Sequence, residues 1–326
     1  MNAQHTFDPS ALRLGPHAEP LPRFLRRAAD ELEGHGTHDP RLVAAIEALL
    51  AGGLDAVHEK TDRPQWAEYR LHLPAAMGQP ELYAALGDLA RQLLSTERAE
   101  DFFFMHKEPG MRVRFRLPAS GGNPQETVGV LDAAMAEWRH RGLAEAWSRA
   151  VYEPEQHLFG GPVSMASVHR LFTADSLAWA EHWARRPEDR KPAWAVSLVM
   201  IEALLAELRI VGWEDRDVWD RLRRQAGRSM AGDEPEGWGE TVTKIHRVWS
   251  EPGRLASITR PWNLPYPEAF ARAARTECPR WLAEYFASPE AYVGPREAAA
   301  FFIVYHWNRA ALPFSRQCAI VEALLR

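Results

Sequence analysis

The sequence predicts an α+β fold, a single compact domain in which a mixed or antiparallel sheet is flanked by many helices, with a helical extension in front. Three observations carry that prediction. Period-two alternation is confined to residues 66–73 and to the stretch 101–117. Helical spacing of apolar residues dominates the remainder. No segment repeats and no low-complexity tract interrupts the 326 residues, so solenoids and fibrous classes drop out. The spacing places residues 1–65 in an N-terminal arm and helical extension, and residues 66–326 in the main domain.

The elements follow in order. Residues 1–20 are polar, rich in Pro and His and without a period, which reads as a loose arm. Leu25, Ala28, Ala29 and Leu32 mark a short helix, and Leu42, Ala45, Ile46, Leu49 and Leu50 a second one, stopped by Gly52-Gly53. In residues 66–73, Tyr69, Leu71 and Leu73 share one face of a strand while Arg70 and His72 share the other. A helix spans 81–94. Residues 102–105 form a fully apolar strand, Glu108-Pro109-Gly110 a turn, and the next strand sets Met111, Val113, Phe115 and Leu117 against Arg112, Arg114 and Arg116. Helices follow over 128–141, 165–184, 193–208, 217–225 and 269–274, then an apolar run over 298–307 and a closing helix over 317–325. Residues 229–239 read as a loop.

Charge and cysteine usage exclude several functions. With 39 basic and 44 acidic side chains the net charge is −5, which opposes broad attraction to nucleic acid or anionic membranes. Cys278 and Cys318 form no paired motif, no HExxH is present, and neither a secretory signal nor a spanning run occurs. A cytoplasmic protein without metal or cofactor is expected, with no nucleic-acid or membrane partner. The 13 tryptophans stand out, because a broad apolar ring with one N–H donor serves either a large core or an apolar groove with a polar handle.

Three constellations have chemical potential. Arg112, Arg114 and Arg116 line one strand face, where guanidinium groups repel unless something anionic meets them; a carboxylate, a phosphate, a peptide or simply neighbouring Asp and Glu would serve. Tyr152, Glu155 and His157 gather a phenol, an acid and an imidazole before Gly160-Gly161, whose missing side chains permit close backbone approach, although a plain strand end with a turn has the same pattern. Tyr305-His306-Trp307-Asn308-Arg309 closes an apolar run, where a histidine such as His306 is more often a satisfied core group than a catalyst.

In chain order, W-x-x-Y-x-L-x-L from Trp66, FFFMHKEPGMRVRFRL, YEPEQHLFGGPVSMASVHRLFTADS and HWNR before a last helix with Glu322 resemble the C-terminal elimination domain of lantibiotic dehydratases and its stand-alone thiopeptide-type relatives. The likeness covers residues 66–326. Members that eliminate glutamate have an arginine where this chain has Leu158, and a histidine where alignment on Asn308-Arg309 puts Val304. Leu158 and Val304 supply neither base nor cation. The retained scaffold is similar to thiopeptide pyridine synthases. That likeness implies a formal [4+2] aza-cycloaddition of two dehydroalanines in a thiazole-bearing precursor peptide, with loss of water and of the leader peptide. It implies as partners the ribosomally made precursor, leader plus core, and other enzymes of the same pathway.

On this reading Tyr152, His157, Tyr305 and His306 are the proton-transfer candidates, with Glu155 as orienter or base. Arg112, Arg114, Arg116, Phe159, Gly160, Trp307 and Asn308 are the candidates for holding substrate or leader. The clusters Arg23/Arg26/Arg27 and Arg221/Arg223/Arg224 are further leader candidates, and some tryptophans are expected to line a groove for the flat, thiazole-rich peptide. A glutamate-eliminating lyase that uses His306, or a non-catalytic leader-binding module, are the alternatives.

Overall fold

The computed structural model describes residues 13–14, 19–36, 39–61, 66–74, 79–108, 110–118, 123–230, 232 and 234–326. Most of the arm over residues 1–20, and Pro109 of the expected turn, lie outside them. The chain divides into two compact units, residues 1–63 and 64–326.

In the first unit β1 (Arg13–Leu14) pairs antiparallel with β2 (Glu19–Pro20), followed by α1 (Leu21–Leu32) and α2 (Pro40–Thr61). Phe24, Ala28, Leu42 and Ile46 make its small core. The expected stop at Gly52-Gly53 is corrected, since α2 runs through both glycines to Thr61. Glycine inside a helix costs about 1 kcal/mol against alanine, which lowers propensity without breaking the hydrogen-bond ladder.

The second unit holds β3 (Trp66–His72), α3 (Pro80–Ser95), β4 (Asp101–Lys107), β5 (Gly110–Arg116), α4 (Pro124–His140), β6 (Ala146–Ala150), α5 (Pro162–Ala184), α6 (Ala193–Glu207), α7 (Glu214–Arg224), α8 (Trp238–Ser250), α9 (Arg254–Thr259), α10 (Pro265–Trp281), α11 (Pro295–Arg309) and α12 (Phe314–Leu325). Much of the chain's proline is spent on helix starts. Pro80, Pro124, Pro162, Pro265 and Pro295 each open a helix, where the missing N–H would have had no partner. The α+β class is as the alternation indicated. β6 was not anticipated, and α8 begins inside the expected loop, at Trp238.

The sheet is antiparallel in the order β4-β5-β3-β6. Its edge at β4 is closed by α5, whose Thr173 and Ser176 hydroxyls accept the N–H groups of Phe102 (2.9 Å) and Phe104 (3.3 Å). Register puts Glu68 opposite Arg114 and Arg114 opposite Phe103, so the arginine face also carries Trp66, Glu68 and Phe103. That face is closed at its centre, although Arg70 and His72 at its other end are exposed. Arg114 is buried, covered by Tyr152. Within the second unit a continuous core runs from Tyr69 and Phe104 through Trp179 and Ile201 to Trp307 and Ile320.

Candidate functional site

Tyr152 follows β6 and turns back over the sheet. Its ring meets Trp66 (5.0 Å between ring centres) and Phe103 (5.5 Å), and its hydroxyl lies 3.0 Å from Nε2 of His169 on α5. Burial, together with Arg116, Arg114 and Arg170, pushes His169 down to about 3. A neutral imidazole Nε2 is then the acceptor, and the Tyr152 hydroxyl donates to it. Beneath the phenol the Arg114 guanidinium carbon sits 4.4 Å from the ring centre, with Nε donating to Glu68 Oε2 at 2.7 Å.

Three residues further on, the Glu155 carboxylate stands near enough to the Tyr305 phenol of α11 for its charge to act on it. Burial foremost, then the neighbouring Glu155 charge, holds the Tyr305 phenol above its ordinary range; burial does the same for Tyr152, against the pull of Arg114. Both phenols are protonated at neutral pH. Tyr305 and Glu155 are only half-buried, so this side of the cluster can be reached. Phe159 seals the floor against Phe172, Phe301 and Tyr305.

Gly160 is required by geometry. Its φ is +95°, and a Cβ there would stand 1.8 Å from the Tyr285 hydroxyl, which accepts the N–H groups of Tyr292 (3.2 Å) and Val293 (3.1 Å).

The structure therefore brings Tyr152, Glu155, Tyr305, Phe159 and Gly160 together and separates other candidates from them. His157 is exposed on a one-turn helix (Gln156–Leu158) and has no partner among the described residues. His306 is 1% exposed: Nδ1 lies 2.7 Å from Asp175 Oδ1 and Nε2 2.9 Å from Ser197 Oγ. Trp307 is buried and donates to the same Ser197 Oγ, at 3.1 Å. The Asn308 carbonyl is 2.8 Å from His106 Nδ1. Both His306 and Trp307 thus read as satisfied core groups, because no face of either ring is open to a ligand.

The three arginines also part company. Arg114 pairs with Glu68 and Arg116 with Asp101 and Glu100, whereas half-buried Arg112 has no carboxylate partner among the described residues. Of the readings left open for this face, neighbouring acids apply to Arg114 and Arg116, which cross-strand carboxylates already meet. Arg221, Arg223 and Arg224 likewise meet Asp217, Glu297 and Asp220. Among the tryptophans, Trp66 touches the cluster, while Trp179, Trp219, Trp281 and Trp307 are fully buried; phenylalanines line the site more than tryptophans do.

Sequence reading missed Trp66, Glu68, His169 and Asp175, and it singled out the run closed by Arg309 without giving that arginine a role. A signal existed for Asp175: it falls on the stripe Val168, Phe172, Asp175, Trp179 of α5, an acid among buried apolar residues at helical spacing. His169 had none, because only folding brings it under Tyr152. Among the described residues no group of three or more His, Cys, Asp or Glu is placed to hold a metal, and no helix is long and apolar enough to cross a membrane.

Residues 66–326 match the model of the lantibiotic biosynthesis dehydratase C-terminal family. The chain belongs to that family. Among solved structures, the chain is similar to the tRNA-dependent lantibiotic dehydratase MibB from Microbispora sp. 107891, with a TM-score of 0.58 and 18% identity over 80% of this chain. It spans 27% of MibB, and at that identity the likeness extends to the fold alone. No curated protein matched the chain.

Proposed function

We propose that this family member is a pyridine-forming cyclase, joining two dehydroalanines of a thiazole-bearing precursor peptide by a formal [4+2] aza-cycloaddition and then releasing water and the leader peptide. The observation that carries this reading is the confinement of His306 between Asp175 and Ser197. With Leu158 and Val304 at the two positions that matter, glutamate elimination lacks its cation and its base. What remains is a pair of neutral phenols and one carboxylate in an aromatic setting.

That set suits a reaction whose barrier is mainly positional. Holding both ends of one peptide at near-attack distance supplies roughly 7–11 kcal/mol. One dehydroalanine and its preceding amide must tautomerise to a 2-azadiene, which asks for a proton on the amide oxygen and the loss of one from nitrogen. Tyr305 gives the first proton and takes back the second, oriented by Glu155. Tyr152, whose O–H rests on His169 Nε2, protonates each departing group and regains its proton from the ring position that loses one in that elimination. Phe301 and Trp66, both partly exposed, offer flat apolar surface for thiazoles.

Incubation with a bis-dehydroalanine, thiazole-containing precursor, read by mass spectrometry, tests the proposal. Loss of the leader and one water is the expected result, and unchanged peptide counts against it. Release of glutamate from a glutamylated precursor would instead support the elimination reading.

A further inference from the structure

A buried guanidinium backs Tyr152 directly and Tyr305 through the Phe172 ring, and each guanidinium is held by a buried carboxylate. Arg114 lies under Tyr152 and is held by Glu68. Arg309, with none of its surface exposed, lies 4.2 Å from the centre of the Phe172 ring, and that ring also meets Tyr305 at 5.2 Å between ring centres. Its Nε donates to Asp175 Oδ2 at 2.5 Å. Asp175 is in turn bound to His306, and His306 to Ser197. Burial works against the Asp175 charge, yet His306 and Arg309 outweigh it and keep the carboxyl below its usual range, so the acid stays ionised and Arg309 stays fixed.

This chain leaves one thing unexplained. Nη1 and Nη2 of Arg309 are buried and have no hydrogen-bond partner among the described residues. Uncommitted buried donors are costly, and a side chain serving only as an ion-pair partner for Asp175 would not need the second half of the fork. The charged groups that act on Arg309 are Asp175, Tyr305 and Arg114, with His306 across Asp175 and Glu155 on the far side of the Tyr305 hydroxyl. Of these, Tyr305 alone changes charge in the proposed reaction.

We infer that Arg309 is the positioning residue of this site, a fixed cation locked by the chain Ser197–His306–Asp175 behind the Tyr305 phenol, where it stabilises the phenolate formed when Tyr305 gives up its proton. The inference rests on the cyclase reading for the step it serves. In that step the Tyr305 O–H bond breaks, its proton passes to the substrate amide oxygen, and the electron pair stays on the phenolate. The phenolate then takes the amide N–H proton, returning Tyr305 to its starting state. His306 enters the chemistry through Arg309 rather than by touching substrate.

The test replaces Tyr305 by a fluorinated tyrosine whose phenol ionises near neutrality and follows its absorbance against pH, without any peptide present. Arg309→Gln should raise the midpoint by about one pH unit or more, a tenfold change in acidity, and Arg309→Lys should recover part of that rise. Asp175→Asn leaves the cation uncompensated and should move the midpoint the opposite way, which keeps the inference testable if Arg309→Gln fails to fold. Midpoints that stay put in the folded variants overturn it. With the precursor, Arg309→Gln should lower kcat far more than it changes KM; an equal fall in thermal stability with kcat intact would assign Arg309 a merely structural role. Because the titration needs no turnover, absence of cyclase activity would sink the functional reading while leaving the Arg309 result standing.

Discussion

Asp175 Oδ1 and His306 Nδ1 lie 2.7 Å apart across 131 positions of sequence, and Ser197 Oγ closes the other side of the ring at 2.9 Å. A serine, a histidine and an aspartate in hydrogen-bonded order look like a hydrolytic triad. All three are buried, however, and Ser197 Oγ also accepts from Trp307, so no acyl group reaches the hydroxyl. The same bonds withhold His306 from the elimination chemistry that a histidine at this end of the chain would otherwise suggest.

Tyr305→Phe and Glu155→Gln should each reduce turnover of a bis-dehydroalanine precursor by about 10²–10⁴-fold, the usual contribution of a positioned proton donor. Unfolding by urea should change little in either, because both side chains are half-buried. His157→Ala, at an exposed position, should leave turnover within about twofold of the parent; a large loss would place the imidazole in the mechanism.

His169 makes stability depend on acid. Its folded value is about 3 against an ordinary 6.5, so between those limits the unfolded chain binds the extra proton. The stability it contributes is complete above about pH 6.5 and is lost as pH falls toward 3. In His169→Gln, the unfolding free energy measured with urea should fall less steeply over that window, by about 1.4 kcal/mol per pH unit at most. Parallel pH profiles for the two proteins would refute the assignment.

Glu68 and Arg114 form a buried ion pair at 2.7 Å. Glu68→Leu alone should cost about 3–5 kcal/mol by stranding a buried cation, whereas Glu68→Leu with Arg114→Met should recover most of that. The double variant should nonetheless lose turnover, since it strips the cation from beneath Tyr152. Denaturation curves and mass-spectrometric assays on the same samples separate the two effects.

Gly160→Ala forces a Cβ to within 1.8 Å of the Tyr285 hydroxyl at a φ of +95°. A loss of about 2–4 kcal/mol is expected. Tyr285→Phe should cost about 1–3 kcal/mol through the two backbone N–H groups it orphans, measured by thermal unfolding.

Local pattern and global contact contributed different things here. Alternation at 66–73 and 111–117 was enough for the strands, because side-chain period depends only on the backbone within one element. The motif order was likewise enough for the family, as was the gathering of Tyr152 and Glu155, which lie three residues apart. The state of each arginine and histidine was beyond it. Arg114 is a buried partner of Glu68 because β3 and β5 align those two positions, and His306 is a core group because α5 and α6 bring Asp175 and Ser197 to its two nitrogens. Period alone says which way a side chain points from its own element. Whether it meets water, a counter-charge or a substrate is decided by what packs opposite, and those partners lie 46, 131 and 109 positions away.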